Sequence, residues 1–222
     1  MSVSKNLEEI QNSIPKNVAL IAVSKTKPVS DILEVYNAGH KAFGENKIQE
    51  MVEKYNLLPK DIEWHMIGHL QRNKVKYMAG FVHLIHGVDS LKTLQEINKQ
   101  AIKHQRVINC LLQIKIAKED TKFGVSVSDA EKLINSEDFK ALKNIYIQGF
   151  MGMASFTNNQ QIIQQEFKTL KTAFEKLKKH KTKNIEPTIL SMGMSSDYNI
   201  AIEEGSTMIR VGSSIFGLRN YS

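Results

Sequence analysis

Eight short apolar segments, each followed by a segment of helical pattern, constrain the fold of this 222-residue chain more than any other feature. The apolar segments are nearly continuous in hydrophobic residues, which is typical of parallel strands buried on both faces. Alternation of strand and helix, right-handed crossovers and a count of eight favour a closed (β/α)8 TIM barrel over an open sheet. The strands are predicted at 19–26, 42–46, 63–68, 83–88, 107–116, 145–153, 188–192 and 207–211.

A helix is predicted before the first strand, because Leu7, Ile10 and Ile14 recur at helical spacing and Pro15 ends the pattern. The sequence contains no linker, low-complexity segment or shift in composition that would mark a second domain. We therefore expect residues 1–222 to form one α/β domain, a single barrel with an extra N-terminal helix.

The composition argues against membrane, secreted and nucleic-acid-binding proteins. No apolar run approaches the roughly 20 residues that span a bilayer, and the N-terminus lacks an apolar signal segment, so we expect a cytoplasmic protein. The single cysteine, Cys110, lies in an apolar run and is predicted to be buried without a disulfide. The net charge is +7, but 26 of the 30 basic residues are lysines, whereas surfaces that read bases favour arginine and exposed aromatics. The lysines of 168–183 are predicted to cover the solvent face of an amphipathic helix.

Lys25 stands near the end of the first predicted strand, which runs from Ala19 to Thr26 and is stopped by Pro28. At the point where the apolar interior meets the rim, desolvation is expected to lower the pKa of the lysine ammonium group. Lys27 lies on the same side by strand parity and would lower that pKa further by like-charge repulsion. A neutral amine is a nucleophile that condenses with an aldehyde. The alternative is a strand-end lysine whose ammonium group simply reaches water.

The loops after the seventh and eighth predicted strands are rich in glycine and hydroxyl residues. They read SMGMSSD at 191–197 and RVGSS at 210–214. In TIM barrels the functional site lies at the carboxyl ends of the strands, and phosphate groups commonly sit in these two loops, where free backbone amides hold an anion. Each loop alone also fits an ordinary turn, and Arg210 alone fits a structural ion pair. Together, and opposite Lys25, they predict a phosphorylated aldehyde as ligand, and pyridoxal 5′-phosphate fits this description.

Several short motifs carry a resemblance that spans nearly the whole chain. They are AVSKT at 22–26, FGEN at 43–46, WHMIGHLQ at 64–71, KFG at 122–124, GFM at 149–151, LSMGMS at 190–195 and RVGSSIFG at 210–217. In this combination the chain resembles the pyridoxal phosphate homeostasis protein family, the single-barrel relatives of alanine racemase. The resemblance implies a fold-type III barrel that binds pyridoxal phosphate and lacks the second β domain of the racemases.

The resemblance implies a set of cofactor-binding residues and no catalytic residue. Lys25 is expected to hold pyridoxal phosphate as a covalent aldimine, a Schiff base. Arg210 is expected to face the pyridine nitrogen, which disfavours protonation of that nitrogen and weakens the ring as an electron sink. The remaining expected contacts are to the phosphate, from Ser195, Gly212 and Ser213, and to the ring, from Asn46. Position 213 is often threonine in the family, and serine keeps the hydroxyl group.

The function that the resemblance implies is intracellular homeostasis of pyridoxal phosphate, or vitamin B6. A monomer would hold the cofactor, buffer the free aldehyde and deliver it to pyridoxal-phosphate-dependent apoenzymes, without catalysis, although a weak residual activity is left open. The alternative is an amino-acid racemase or decarboxylase of the alanine racemase type. The chain stops at Ser222, soon after Gly217, so we expect it to lack the β domain that closes a racemase site and supplies a second acid or base. A missing positioned base costs a factor of roughly 10²–10⁴.

A third interpretation keeps the Schiff-base lysine but drops the cofactor, which would make the barrel an aldolase acting on a phosphorylated sugar. A metal site is not predicted. His65 and His69 are four residues apart, but along a strand this spacing is about 13 Å, which is too far for both side chains to bind one ion. His65 is therefore expected to be a structural residue or to line the pocket.

Overall fold

The predicted strands form one closed barrel in the computed structural model, which describes residues 2–117 and 123–217. All eight strands are parallel and follow one another in chain order around the barrel, with β8 pairing to β1. They are β1 (Ala19–Val23), β2 (Ala42–Glu45), β3 (Glu63–Met66), β4 (Leu84–Val88), β5 (Ile108–Gln113), β6 (Ile145–Met151), β7 (Ile185–Met194) and β8 (Met208–Val211). The predicted (β/α)8 fold and the extra N-terminal helix are confirmed, while the extent of the domain, residues 1–222, stays a prediction.

Helices lie between most strands and cover the outside of the barrel. They are α1 (Val3–Ser13), α2 (Val29–Asn37), α3 (Ile48–Leu57), α4 (Leu91–Lys103), α5 (Val127–Asn135), α6 (Glu137–Lys140), α7 (Gln160–Leu177), α8 (Tyr198–Glu203) and α9 (Ser213–Phe216). A 3-10 helix (Arg72–Tyr77) takes the place of an α-helix between β3 and β4. Helix α7 buries its apolar stripe, as predicted for the lysine-rich segment. Among the described residues, no helix is both long enough and apolar enough to cross a bilayer.

Side chains alternate along each strand and form two separate apolar clusters. The outer cluster, between the strands and the helices, contains the largest buried rings, which belong to Phe43, Trp64, Phe139, Phe150 and Phe167. The inner cluster fills the barrel interior with side chains from five strands, namely Ile21, Leu84, Leu111, Met151 and Met208. Cys110 is buried, as predicted; it belongs to the outer cluster, and burial raises the pKa of its thiol.

The first strand ends earlier than predicted, and this changes the position of Lys25. Strand β1 stops at Val23, and residues 24–27 form a turn in which the Lys27 amide donates to the Ser24 carbonyl over 3.0 Å. Thr26 adopts a positive φ of 65°, which no extended strand contains. The assignment of Lys25 to the first strand was therefore wrong, and so was the strand-parity argument that placed Lys27 on the same side.

Candidate functional site

A cavity of about 590 Å³ opens at the carboxyl ends of the strands. This volume is typical of small-molecule sites. All six residues predicted to bind the ligand line this one cavity, namely Lys25, Asn46, Ser195, Arg210, Gly212 and Ser213. The apolar part of the lining comes from Val23, Ile67, Phe123, Met153, Phe156 and Met194. The sequence therefore predicted which loops meet, whereas it missed most of the apolar wall.

The charged groups that line the cavity are all cationic within the described part of the chain. They are Lys25, Lys27 and Arg210, accompanied by the hydroxyl groups of four serines at 195, 196, 213 and 214. No aspartate or glutamate of residues 2–117 and 123–217 is among the lining residues. A cavity with this combination favours an anionic ligand that also has an apolar face.

Lys25 is positioned by a cluster of ionic groups beneath its turn, which we call the Lys54 cluster: the buried Glu45 and Lys54, and the half-buried Glu50. The Lys54 Nζ donates to the Ser24 carbonyl over 2.8 Å and to Glu45 Oε1 and Glu50 Oε1 over 2.7 Å each. Glu50 Oε1 also accepts the backbone amide of Thr26. The residues on both sides of Lys25 are thus fixed to helix α3 and to the end of β2.

Glu45 is the most deeply buried member of the Lys54 cluster. Its Oε1 accepts the Ser24 hydroxyl over 2.6 Å as well as the Lys54 ammonium group. Its Oε2 is buried and has no hydrogen-bond partner among the described residues. Burial raises the pKa of the Glu45 carboxyl group, and the contacts with Lys54 and Ser24 oppose this effect.

Lys27 joins the same turn to the last helix of the structure. Its Nζ donates to the Phe216 carbonyl over 2.8 Å and to the Gly217 carbonyl over 3.2 Å. These are carbonyl groups at the end of α9, which a lysine satisfies well. Lys27 therefore holds the β1 turn against the end of α9.

Arg210 projects from β8 into the barrel and is almost completely buried. Its Nη1 donates to the Ser191 hydroxyl oxygen over 2.6 Å, and its Nη2 donates to the Gly152 carbonyl over 3.1 Å. Burial lowers the pKa of Arg210 to about 10, and the neighbouring charge of Asp197 acts in the opposite direction. The guanidinium group is therefore still charged at pH 7.

Two buried histidines extend the hydrogen-bonded series of Arg210 and Ser191 toward the amino end of the barrel. His86 Nδ1 lies 3.2 Å from Ser191 Oγ, and His86 Nε2 lies 3.0 Å from His65 Nδ1. We call this series, from Arg210 through Ser191 and His86 to His65, the histidine chain. Burial lowers the pKa of both imidazoles, of His65 to about 3, so both rings are neutral at pH 7. His65 is therefore an interior structural residue, as expected, and it does not line the cavity among the residues described.

The loops after β7 and β8 are bonded to each other at the cavity. The Gly212 amide donates to Ser195 Oγ over 3.0 Å, which leaves the Ser195 hydroxyl proton to donate elsewhere. Gly212 precedes α9, whose first-turn amides have no partner within the helix. A Cβ atom on Gly212 would lie 3.2 Å from the Val23 carbonyl oxygen, so a side chain here would press against β1. Hydroxyl groups and backbone amides therefore meet at one edge of the cavity.

Asn46 follows the end of β2 and is held by a close backbone approach. A Cβ atom on Gly68 would lie 2.4 Å from the Asn46 carbonyl oxygen, far inside van der Waals contact. Glycine at position 68 thus allows the segment after β3 to pack directly against Asn46. His69, next along the chain, stacks on Phe123 with ring centroids 3.8 Å apart. Lys122, part of the KFG motif, lies outside the described residues.

Comparison with known proteins places this chain in a family. The model of the alanine racemase N-terminal domain matches residues 2–220. The pyridoxal phosphate homeostasis protein of Aquifex aeolicus is 38% identical over 226 residues, which cover 99% of this chain and 97% of the relative. That of Pasteurella multocida is 37% identical over the full length of both chains. This chain belongs to the pyridoxal phosphate homeostasis protein family.

Solved structures agree with the family assignment. PipY of Synechococcus elongatus, a structure without pyridoxal phosphate, is 33% identical and superposes with a TM-score of 0.90 over 97% of this chain and 100% of PipY. A second PipY structure, which contains pyridoxal phosphate, is 32% identical with a TM-score of 0.86. Alanine racemase of Clostridium difficile is 14% identical with a TM-score of 0.77, and this chain covers 57% of its length. At 14% identity, the comparison with the racemase shows a common fold alone.

The Lys54 cluster and the histidine chain were both missed from the sequence. Each nevertheless left a signal. Lys54 falls on the same helical face as the buried residues Ile48 and Met51, where a lysine needs a partner. His86 lies two residues after Leu84 within an apolar strand, so both side chains point to the same face of the strand, which is the barrel interior.

Proposed function

We propose that this protein binds pyridoxal 5′-phosphate in the cavity at the carboxyl end of the barrel and serves the intracellular homeostasis of that cofactor. The observation that carries the proposal is the meeting of all six predicted residues in one cavity whose described lining is cationic. The relatives in this family are named for pyridoxal phosphate homeostasis, and PipY has been solved with the cofactor bound. These findings support the same ligand for this chain.

The residues present fit the chemistry of the cofactor. Its aldehyde is captured reversibly by an amine, and Lys25 is the proposed covalent anchor. Ser195, Gly212 and Ser213 supply hydroxyl and amide donors for the phosphate, as the contact between the two loops supports. Arg210 would face the pyridine nitrogen and Asn46 would lie near the ring. The apolar wall would cover the faces of the ring.

The fixed position of Arg210 is compatible with a protein that only holds the cofactor, but racemases of this fold type share an arginine at the ring nitrogen, so an amino-acid assay decides between the two. Because both terminal nitrogens of its guanidinium group are already bonded to Ser191 and Gly152, the position of the positive charge is fixed before a ligand binds. A cation beside the pyridine nitrogen opposes protonation there, and an unprotonated ring stabilises negative charge poorly. We propose that the chain carries out no catalysis, acts as a monomer in the cytoplasm, and delivers the cofactor to apoenzymes.

The experiment compares covalent capture of pyridoxal phosphate by the wild type, Lys25→Ala and Lys27→Ala. Each protein is incubated with the cofactor, treated with borohydride and analysed by intact mass and visible absorption. The wild type and Lys27→Ala are expected to gain one reduced ligand per chain, and Lys25→Ala none. Lys27→Ala is the matched control, because it removes a second lysine from the same cavity. Retention of the adduct in Lys25→Ala would move the anchor to another residue.

A second measurement separates the carrier from the racemase or decarboxylase alternative. The loaded protein is incubated with a panel of L- and D-amino acids, and stereoisomers and amines are quantified. A carrier leaves the panel unchanged, whereas racemised or decarboxylated product would make the protein an enzyme. Failure of the wild type to bind the cofactor at all would favour the aldolase alternative, which is then tested with phosphorylated sugars.

A further inference from the structure

The inner end of the histidine chain lies beside two side chains that can bind a metal ion. Glu63 opens β3, and His83 immediately precedes β4, so both lie at the amino end of the barrel. The carboxylate of Glu63 and one ring nitrogen each of His65 and His83 lie within 4.8 Å of one another. The rings of His65 and His83 have centroids 5.2 Å apart. This group is on the opposite side of the barrel from the cavity described above.

A second observation points to a ligand at this group. His65 is buried, and its Nε2 has no hydrogen-bond partner among the described residues. An unpaired polar atom in the interior is costly because it has lost its bonds to water, so native structures rarely retain one without a reason. The other ring nitrogen, Nδ1, is already engaged with His86. The unpaired nitrogen is therefore the one that can accept a new bond.

We propose that Glu63, His65 and His83 form a site for one divalent transition-metal ion of the Zn²⁺ type at the amino end of the barrel. Two imidazoles and one carboxylate are a donor set that such ions accept, and the fourth position of a tetrahedron remains for water or another ligand. This site and the proposed pyridoxal phosphate cavity lie at opposite ends of the barrel.

The geometry requires a small adjustment that the exposed residues can supply. Bonds of about 2.0–2.1 Å place the donor atoms of a tetrahedral site roughly 3.4 Å apart, closer than the 4.8 Å limit of this group. Glu63 and His83 are exposed and can change rotamer, whereas His65 is held in place by His86. The buried ligand is thus pre-oriented, and the two surface ligands close on the ion.

A bound metal ion would also fix the donor-to-acceptor direction of the hydrogen bonds along the histidine chain. Nε2 of His65 must offer its lone pair to an ion, so the ring proton resides on Nδ1 and is donated to His86 Nε2. His86 then carries its proton on Nδ1 and donates it to Ser191 Oγ, which also accepts from Arg210. Hydrogen bonding of a metal-bound histidine to an interior partner is the common supporting arrangement in metal sites.

The test is titration of the untagged full-length chain with Zn²⁺ by calorimetry, and with Co²⁺ by visible absorption. The wild type is expected to bind one ion per chain, and bound Co²⁺ should give the intense d–d bands of a four-coordinate site. His83→Ala and Glu63→Gln should each weaken the affinity by about tenfold or more. Both residues are exposed, so the variants are expected to fold, which circular dichroism verifies. His104→Ala, which removes an exposed histidine outside the group, should bind as the wild type does.

Two results would overturn the proposal. One is the absence of saturable Zn²⁺ binding by the wild type. The other is binding by His83→Ala and Glu63→Gln with the wild-type affinity and stoichiometry, which would place the ion elsewhere. If either variant fails to fold, the Co²⁺ spectrum of the wild type decides, because an octahedral, weakly absorbing spectrum contradicts the proposed donor set.

Discussion

Replacing Lys54 with methionine tests the buried cluster that fixes the Lys25 turn. Lys54→Met keeps much of the side-chain volume but removes the ammonium group that contacts Ser24, Glu45 and Glu50. The buried Glu45 carboxylate then lacks its cation, and its least costly response is to bind a proton. At pH 7, protonating a carboxyl group with an ordinary pKa of 4.5 costs about 2.5 pKa units, or roughly 3.4 kcal/mol. Because burial already raises the pKa of Glu45 in the wild type, we expect the free energy of unfolding to fall by at most about 3 kcal/mol.

The same reasoning predicts how this loss changes with pH. In the variant, the pKa of Glu45 in the folded state is raised above its unfolded value, so the folded protein binds a proton that the unfolded chain releases. Stability is then lost as pH rises from the unfolded pKa toward the folded one. At pH 5 the protonation costs only about 0.5 pKa units, or roughly 0.7 kcal/mol. The wild type shares part of this pH dependence, because its own Glu45 pKa is raised, so the difference between the variant and the wild type should shrink by at most about 2.7 kcal/mol between pH 7 and pH 5.

Urea unfolding followed by circular dichroism at pH 5, 6 and 7 measures both effects. Lys176→Met is the matched control, because Lys176 pairs with Glu131 at the surface, and its loss should cost less than about 1 kcal/mol at every pH. Adding Glu45→Gln to Lys54→Met should abolish the extra pH dependence. A loss of less than about 1 kcal/mol at pH 7, or an equal loss at pH 5 and pH 7, would refute the role assigned to the cluster.

Three further substitutions test other parts of the structure. Arg210→Lys cannot form the two-pronged contact inside the barrel, so we expect a loss of about 1–3 kcal/mol in urea unfolding and weaker cofactor binding in a fluorescence titration. Gly68→Ala should displace Asn46 and weaken the binding of pyridoxal phosphate, whereas Gly80→Ala, whose Cβ would meet only an exposed side chain at 3.2 Å, should bind as the wild type does. Trp64→Phe should cost about 1–2 kcal/mol in thermal or urea unfolding from the cavity it leaves, with nothing added for a lost hydrogen bond, because the buried Trp64 Nε1 has no hydrogen-bond partner within the described chain.

The barrel fold and the meeting of the candidate residues at one cavity were predictable, because both follow from the positions of the strands. Apolar segments alternate with helices regularly enough to predict eight parallel strands, and a parallel barrel brings all carboxyl ends to one mouth. Residues as far apart as Lys25, Asn46 and Arg210 therefore line one cavity, as predicted. Their roles toward a bound cofactor stay predictions.

Local exceptions to regular geometry were not predictable in this way. The seventh strand was predicted from Thr188, immediately after Pro187, but β7 begins at Ile185. Ile147 pairs with Ile185 and Gly149 with Ile189, so β7 contains two extra residues in this interval and bulges there. A bulge is the place where a parallel strand tolerates proline. The bulge depends on the neighbouring strand, which pattern analysis of one segment does not include.

Long-range polar pairing was the other feature beyond the sequence patterns. The periodicity of α3 shows that Lys54 faces inward, but it does not show that Glu45 ends a strand directly beside it. The burial of Glu45 is visible only after the chain has closed. The positive φ of Thr26 was not predictable for the same reason. The turn that contains it is held by side chains far along the chain: the Thr26 amide donates to Glu50, and the Ser24 carbonyl accepts from Lys54.

The two polar networks explain how a cavity with an exposed rim can hold its functional groups in fixed positions. Buried polar chains stabilise a structure only when their members are bonded, and the groups next to the cavity meet this condition. Arg210 has its two prongs bonded, and the turn of Lys25 is bonded on either side of the lysine. An ordered arginine side chain has already lost up to about 2 kcal/mol of rotamer entropy during folding. Ligand binding need not supply that ordering again, so we infer that affinity in this cavity depends on two networks in which Arg210 alone, among their described residues, lines the cavity.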